Sequence, residues 1–87
     1  MQKLKLSSLK NIGPQSEKWL NHIDIYTRED VEKLGPVNIY NILKVQGFPV
    51  NRLLVYALQG ALHNIHWNEL PAKIKSQLDK EIEETKL

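Results

Sequence analysis

The sequence predicts an all-α fold, a compact bundle of about five short helices. Residues 52–63 are apolar on nearly every side when wound at 3.6 residues per turn, which is typical of a helix buried among other helices. Proline, glycine and capping residues divide the rest of the chain into short amphipathic segments. The 87 residues are enough for one hydrophobic core, so residues 1–87 are predicted to form a single domain.

The central helix is predicted to begin at Arg52 and to end at His63. Asn51 precedes it as an N-cap, and Asn64 can end it in the left-handed conformation. Gly60 lowers helix propensity, which indicates that a neighbouring backbone approaches closely there. A membrane span needs roughly 20 apolar residues. The apolar run over residues 52–63 is only about half that length, so we expect no membrane insertion.

The chain before the first long helix is predicted to be mostly irregular. Residues 1–6 are interpreted as an extended tail that lays its leucines on the core, and Ser7 or Ser8 as the cap of a short helical turn through Leu9–Asn11. Gly13 can take a positive φ in a tight turn, as can an asparagine such as Asn11, and Pro14 suits the first position of the next helix.

Four further helices are indicated by periodicity and caps. The first runs from Gln15 to about Ile23, where Asp24 can end it in the left-handed conformation. Thr27 and Asp30 predict a capping box at the start of the second, and Gly35-Pro36 separates it from a third over residues 37–46. The last helix, 72–84, carries a narrow apolar stripe formed by Ile74, Leu78 and Ile82.

Composition excludes several classes of protein. The sequence has no Cys, which rules out disulfides and thiolate zinc sites, and its first residues lack the apolar run of a secretory signal. We therefore expect a cytoplasmic protein. Net charge is +2, with eight basic and five acidic residues through Arg52. This excess fits a weak phosphate-facing patch and equally fits an ordinary soluble surface.

The segment Leu9–Pro14, followed by an amphipathic helix, looks like a helix-hairpin-helix motif. In DNA-binding members of that class, a Gly-x-Gly hairpin turns backbone N–H groups toward a phosphate. Gly13 matches the second glycine, whereas Asn11 stands at the first. Lys10 and Lys18 flank the turn. These four residues are the candidate nucleic-acid contacts, and the alternative is that the lysines are simply solvated.

A longer set of segments resembles the C-terminal domain of the TfoX/Sxy family of bacterial DNA-transformation (competence) regulators. The resemblance runs from about Leu6 to Leu78 and implies a helical, SAM-like fold with a helix-hairpin-helix and a role in competence gene regulation. Full-length members of the family carry an additional N-terminal domain, which we do not expect in this chain. The segments that carry the resemblance are Leu9–Pro14, Trp19-Leu20, Ile25–Asp30, Leu34-Gly35, Leu53–Leu62 and His66–Pro71.

Two other groups of residues are candidate ligand sites. His63, His66 and Glu69 recur every three residues, but Asn64 is expected to break the helix between them, so surface histidines are favoured over a metal site. The tryptophans at positions 19 and 67 could stack on bases, although their apolar neighbours favour a place in the core.

The sequence therefore supports two functions of different class. The first is a non-enzymatic protein-interaction module that binds a partner chain or itself, with the stripe of the last helix and the loop residues Phe48 and Val50 as its surface. The alternative is a weak, nonspecific DNA binder that uses the Gly13 turn. No catalytic arrangement, metal, cofactor or small-molecule substrate is indicated.

Overall fold

The structure, a computed structural model, describes residues 6–85. These residues form five α-helices and two single turns of 3₁₀ helix, and contain no strand. The predicted all-α class is therefore confirmed. The helices are α1 (Pro14–His22), α2 (Arg28–Leu34), α3 (Pro36–Val45), α4 (Arg52–His63) and α5 (Ala72–Glu84), and the 3₁₀ turns are Leu6–Ser8 and Trp67–Glu69.

Helix α4 lies at the centre, as its composition predicts. Leu54, Leu58 and Ala61 belong to the larger of two hydrophobic clusters, which also receives side chains from α1, α2 and α3. Val55 belongs to the second cluster, which receives side chains from α5. Because its two sides are buried in different clusters, α4 needs an apolar surface on nearly its whole circumference.

Helix α3 packs against α4 and divides its side chains in the same way. Ile39 and Leu43 enter the larger cluster, while Val37 and Tyr40 enter the second. Helices α3 and α4 therefore form a central pair.

Helix α5 covers the second cluster with Leu78 and Ile82, both nearly fully buried. Its carboxylates have a tertiary role, since Arg52 at the start of α4 lies 3.5 Å from Asp79 and 3.4 Å from Glu83. The helix dipole disfavours acidic residues in the last turn of a helix. Here the partly exposed ion pairs with Arg52 offset that cost by at most about 1 kcal/mol.

A hydrogen bond also joins α4 to α5, because the Tyr56 hydroxyl donates to Asp79 Oδ1 at 2.5 Å. Partial burial raises the pKa of Tyr56 above its ordinary value, and the hydrogen bond and negative charge of Asp79 raise this pKa further, against the lowering effect of Arg52.

The local helix signals are confirmed where they were predicted. Thr27 Oγ1 accepts from the Asp30 N–H, and Asp30 Oδ2 accepts from the Thr27 N–H, which completes the capping box. Asn51 Oδ1 accepts from the Leu53 N–H at 2.9 Å. Asn64 ends α4 in the left-handed conformation with φ 56°.

The predicted tail over residues 1–6 needs a correction at its last residue. Leu6 lies in a 3₁₀ turn and is buried in the larger cluster, so it is not extended. The helical turn expected over Leu9–Asn11 is found three residues earlier. Residues 1–5 lie outside the described part of the chain.

Gly60 has closer neighbours than the other three glycines. A Cβ placed there would lie 2.6 Å from Asn11 Nδ2 and 2.9 Å from the Ile65 carbonyl oxygen. Both distances are well inside van der Waals contact, so the predicted close approach is confirmed. The hairpin and the segment after α4 meet over this glycine.

We expect Gly60→Ala to destabilise the domain by up to about 2 kcal/mol. Overpacking costs about 1–3 kcal/mol, from which the gain of about 1 kcal/mol in helix propensity is subtracted. The free energy of unfolding, measured by urea titration with circular dichroism, tests this. Gly13→Ala is the control, because a Cβ at Gly13 meets nothing within 4 Å and its φ is −94°. An alanine at position 60 that matches or exceeds wild-type stability would contradict the packing argument.

Candidate functional site

The hairpin segment, residues 9–14, connects the first 3₁₀ turn to α1. Pro14 occupies the first turn of α1, as predicted, and Gly13 is its N-cap. The backbone of Gly13 has φ −94° and ψ −178°, whereas Asn11 has φ 70°. Gly13 therefore does not use the positive φ open to it, and the left-handed residue of the turn is Asn11.

The side chain of Asn11 explains why the turn forms there. Its Nδ2 donates to the carbonyl oxygens of Ile65 at 2.9 Å and Ala57 at 3.3 Å. Its Oδ1 accepts from the Trp67 N–H at 3.2 Å. One amide thus ties the hairpin to α4 and to the segment after it. The polar atoms of the Asn11 side chain are therefore used within the domain, while a phosphate contact through the backbone of this turn stays a prediction.

The remaining candidate contacts lie on the surface around the start of α1. Lys10 and Lys18 are exposed, and the space around the Gly13 α-carbon is open. However, Glu17 lies in the first turn of α1, and its Oε2 accepts from the Ser7 N–H at 3.0 Å. A carboxylate at this end of a helix complements the dipole that would otherwise favour a phosphate. The electrostatics of the hairpin are therefore mixed.

The protein-binding surface predicted from the sequence is largely used in folding. Phe48 contacts the rings of Trp19 and His22 edge-on, with centroid distances of 6.3 and 5.1 Å. Val50 packs against both hydrophobic clusters. The apolar stripe of α5 forms part of the second cluster. The predicted set of α5, Phe48 and Val50 is therefore not a free apolar face.

The two tryptophans are both half-buried. Trp19 packs against the larger cluster, as expected. Trp67 anchors the segment between α4 and α5, where Lys75 Nζ lies 5.8 Å from the centroid of its ring. Neither ring is presented as an open stacking platform.

The free apolar surface lies instead on the outer side of α3. Val45 is 65% exposed, the most exposed of the large apolar side chains in residues 6–85. Asn41 and Val45 form a ridge, which we call the α3 ridge, because both line two grooves. The uncharged groove is lined by Leu34, Asn38, Asn41, Ile42, Val45, Gln46 and Thr85. The charged groove is lined by Tyr40, Asn41, Lys44, Val45, Arg52, Ile82 and Glu83.

The α3 ridge was missed in the sequence because Val45 and Ile42 resemble core positions. Helix α3 carries apolar residues around most of its circumference. A helix of that kind in a small domain can retain one unpartnered side once its core positions are filled. The excess of apolar residues on α3 was the only feature of the sequence that could have predicted an exposed apolar face there.

In the described part of the chain, His63, His66 and Glu69 do not form a three-residue ligand cluster. Among residues 6–85, no group of three potential metal-ligating side chains comes together. His66 and Glu69 instead cap the second 3₁₀ turn, and His63 contacts Gln59 Nε2 at 2.9 Å. Within the same range, no helix has the length and hydropathy needed to cross a membrane.

Comparisons with known proteins agree with this architecture. The family model described as the TfoX C-terminal domain matches residues 2–82, which confirms the resemblance stated above. A crystal structure of an uncharacterized protein from Listeria monocytogenes has a TM-score of 0.84 and 28% sequence identity. The alignment covers 93% of this chain and 92% of that one. A search of curated proteins found no match.

The role of Asn11 can be separated into hydrogen bonding and backbone conformation. We expect Asn11→Gly to lower the free energy of unfolding by about 2–3 kcal/mol, because three partly buried hydrogen bonds are lost. Asn11→Ala should lose about 1 kcal/mol more, since alanine is strained at positive φ. Urea unfolding of both variants measures the two terms. Wild-type stability in the glycine variant would show that the hydrogen bonds contribute nothing.

Proposed function

Because the chain belongs to the TfoX C-terminal domain family, we propose that it is a non-enzymatic regulatory module of the competence-regulator type, which acts by binding another protein chain. We propose the cytoplasm as its location, because a sequence without Cys forms no disulfides and so has no need of an oxidising compartment. The proposal concerns the domain as a binding element.

The observation that carries this proposal is the exposed α3 ridge. Val45 projects between two grooves, with Leu34 and Ile42 partly accessible beside it. Neither hydrophobic cluster includes Val45 or Ile42. Apolar side chains grouped in this way gain free energy when a partner removes them from water, at about 25 cal/mol per Å². Such a surface favours a protein partner over a polyanion.

The hairpin also supports a protein partner, because its features are unfavourable for phosphate binding. The Asn11 amide is bonded internally, and Glu17 places a negative charge in the first turn of α1. A phosphate clamp of the helix-hairpin-helix type depends on free N–H groups and a positive helix end. Here the hairpin is better suited to holding α1 against α4.

We expect photo-crosslinking from the α3 ridge to capture protein. A benzophenone amino acid would replace Val45 in one variant and the exposed Glu29, at the start of α2, in a control. Crosslinking in cells and in lysate at low and high salt should give a protein adduct from position 45 only, at both salt concentrations, since apolar contacts resist screening. Equal adducts from both positions, or none from position 45, would overturn the proposal.

A second candidate function is nonspecific DNA binding, which the open space at Gly13 and the exposed lysines at positions 10 and 18 favour. A phosphate could approach the α1 N-terminus at that point without meeting a side chain. This function would require affinity that falls steeply as salt rises, because each phosphate contact releases a counterion.

We expect no saturable DNA binding at physiological salt. Fluorescence anisotropy of a labelled duplex and a labelled single strand, at low and physiological salt, measures this. The variants are Lys10→Ala/Lys18→Ala and Gly13→Asp, the latter because aspartate is a good N-cap that retains the fold while repelling phosphate. Micromolar binding that weakens with salt and is lost in both variants would establish the DNA function instead.

A further inference from the structure

The charged groove beside the α3 ridge contains a cation without a carboxylate partner. Its charged lining residues are Lys44, Arg52 and Glu83. Arg52 pairs with Glu83 at 3.4 Å and with Asp79 at 3.5 Å, so the guanidinium is already neutralised. In the part of the chain that the structure describes, no carboxylate lies within ion-pair distance of Lys44 Nζ. Within that part, the ammonium of Lys44 is available to an anion.

Tyr40 supplies a second donor next to this ammonium. Lys44 Nζ donates to Tyr40 Oη at 3.3 Å. Because a lysine ammonium cannot accept, the hydroxyl is the acceptor in this bond and keeps its own proton to donate. Among residues 6–85 that proton has no acceptor. Tyr40 is only 7% exposed and packs in the second hydrophobic cluster, so its hydroxyl is held in place.

This pair of donors matches a carboxylate better than a phosphate. The two donor atoms lie 3.3 Å apart and one of them is charged, which suits the two oxygens of a single carboxylate. A phosphate group carries up to two negative charges near neutral pH. Glu83 in the groove lining would repel the additional charge. A ligand with one negative charge is therefore favoured.

The rest of the groove indicates that this carboxylate belongs to a polypeptide. Val45 and Ile82 give the groove an apolar wall. Asn41 Nδ2 donates to Thr85 Oγ1 at 2.8 Å, while Asn41 Oδ1 accepts from no group among residues 6–85 and suits a backbone N–H. The cavity of about 260 Å³ is smaller than the roughly 300–1,000 Å³ of small-molecule sites. It fits an acidic side chain and an apolar neighbour.

From these contacts we propose that the charged groove binds a carboxylate side chain of the partner protein, an aspartate or glutamate flanked by apolar residues. The inference rests on the proposed protein-binding function and names the chemistry of the partner. The carboxylate accepts from Tyr40 Oη and Lys44 Nζ. Its apolar neighbours contact Val45, which lines both grooves.

A titration followed by nuclear magnetic resonance tests this site. The probes are two capped peptides, one with an aspartate between two leucines and one with an asparagine in its place. The aspartate peptide should give saturable shifts at the backbone amides of Asn41, Lys44 and Val45. It should bind at least about fivefold more tightly than the asparagine peptide. Equal affinities, or no shifts at millimolar peptide, would overturn the inference.

Replacing Lys44 tests the donor pair directly. Lys44→Gln should weaken binding of the aspartate peptide about fivefold and leave binding of the asparagine peptide unchanged. Lys33→Gln is the matched control, because Lys33 is an exposed lysine on α2 that lines neither groove. It makes the same change in net charge and should alter neither affinity. Equal weakening by both variants would show that only net charge matters, against the proposal.

Replacing Glu83 has the opposite expectation. Glu83→Gln removes the negative charge that opposes a bound carboxylate, so the aspartate peptide should bind about two- to fivefold more tightly. Circular dichroism and urea unfolding check that every variant folds, and all three replaced side chains are exposed. Weaker binding of the aspartate peptide by folded Glu83→Gln would contradict a carboxylate in this groove.

Crosslinking from position 45 separates this inference from the function on which it rests. If position 45 captures a protein and Lys44→Gln lowers the yield of that adduct, both are supported. If it captures a protein while the two peptides bind alike, the protein-binding function stands and the carboxylate inference fails. If position 45 captures nothing, the protein-binding function fails, and the partner carboxylate with it. Because the groove makes one ion contact, high salt should reduce the adduct without abolishing it.

Discussion

The apolar circumference of α4 is the constraint on which the rest of this domain depends. Leu54 and Leu58 need cover on one side and Val55 on the other, so two hydrophobic clusters form around a single helix. Helices α2, α3 and α5 pack directly against it. At Gly60 the side chain is absent, and the hairpin segment closes over the gap through Asn11. The positions of the other helices are therefore set by the need to cover the apolar side chains of α4.

The hairpin resembles a motif that is associated with phosphate binding, but here the side chain of Asn11 connects it to other parts of the fold. A glycine in the position of Asn11 would leave the turn free to approach a ligand, whereas the asparagine amide bonds Ile65 and Trp67. Those bonds stabilise the turn in its left-handed conformation and fix the segment after α4. The same local shape then contributes to the stability of the fold, and the exposed apolar side chains lie elsewhere, on α3 among others.

Helix α3 has more apolar surface than the core can use. Its inner residues fill both clusters, and the remaining Ile42 and Val45 face outward beside Leu34. Among residues 6–85, no element covers Val45, which is 65% exposed. The α3 ridge is thus what the packing of residues 6–85 leaves exposed, and the proposed protein-binding function depends on it.

The sequence by itself determined the helices, because their signals are local. The Thr27–Asp30 capping box, the Asn51 cap, the Gly35-Pro36 boundary and the Asn64 stop each act within a few residues, and all lie where they were predicted. The tertiary structure decided which residue of the hairpin is left-handed, because the partners of Asn11 are 46 to 56 residues away along the chain. It also decided that Phe48 is packed against neighbouring rings while Val45 is exposed. The sequence pattern around an apolar residue is the same whether the residue is buried or exposed. Only the arrangement of the helices determines which apolar side chains are buried.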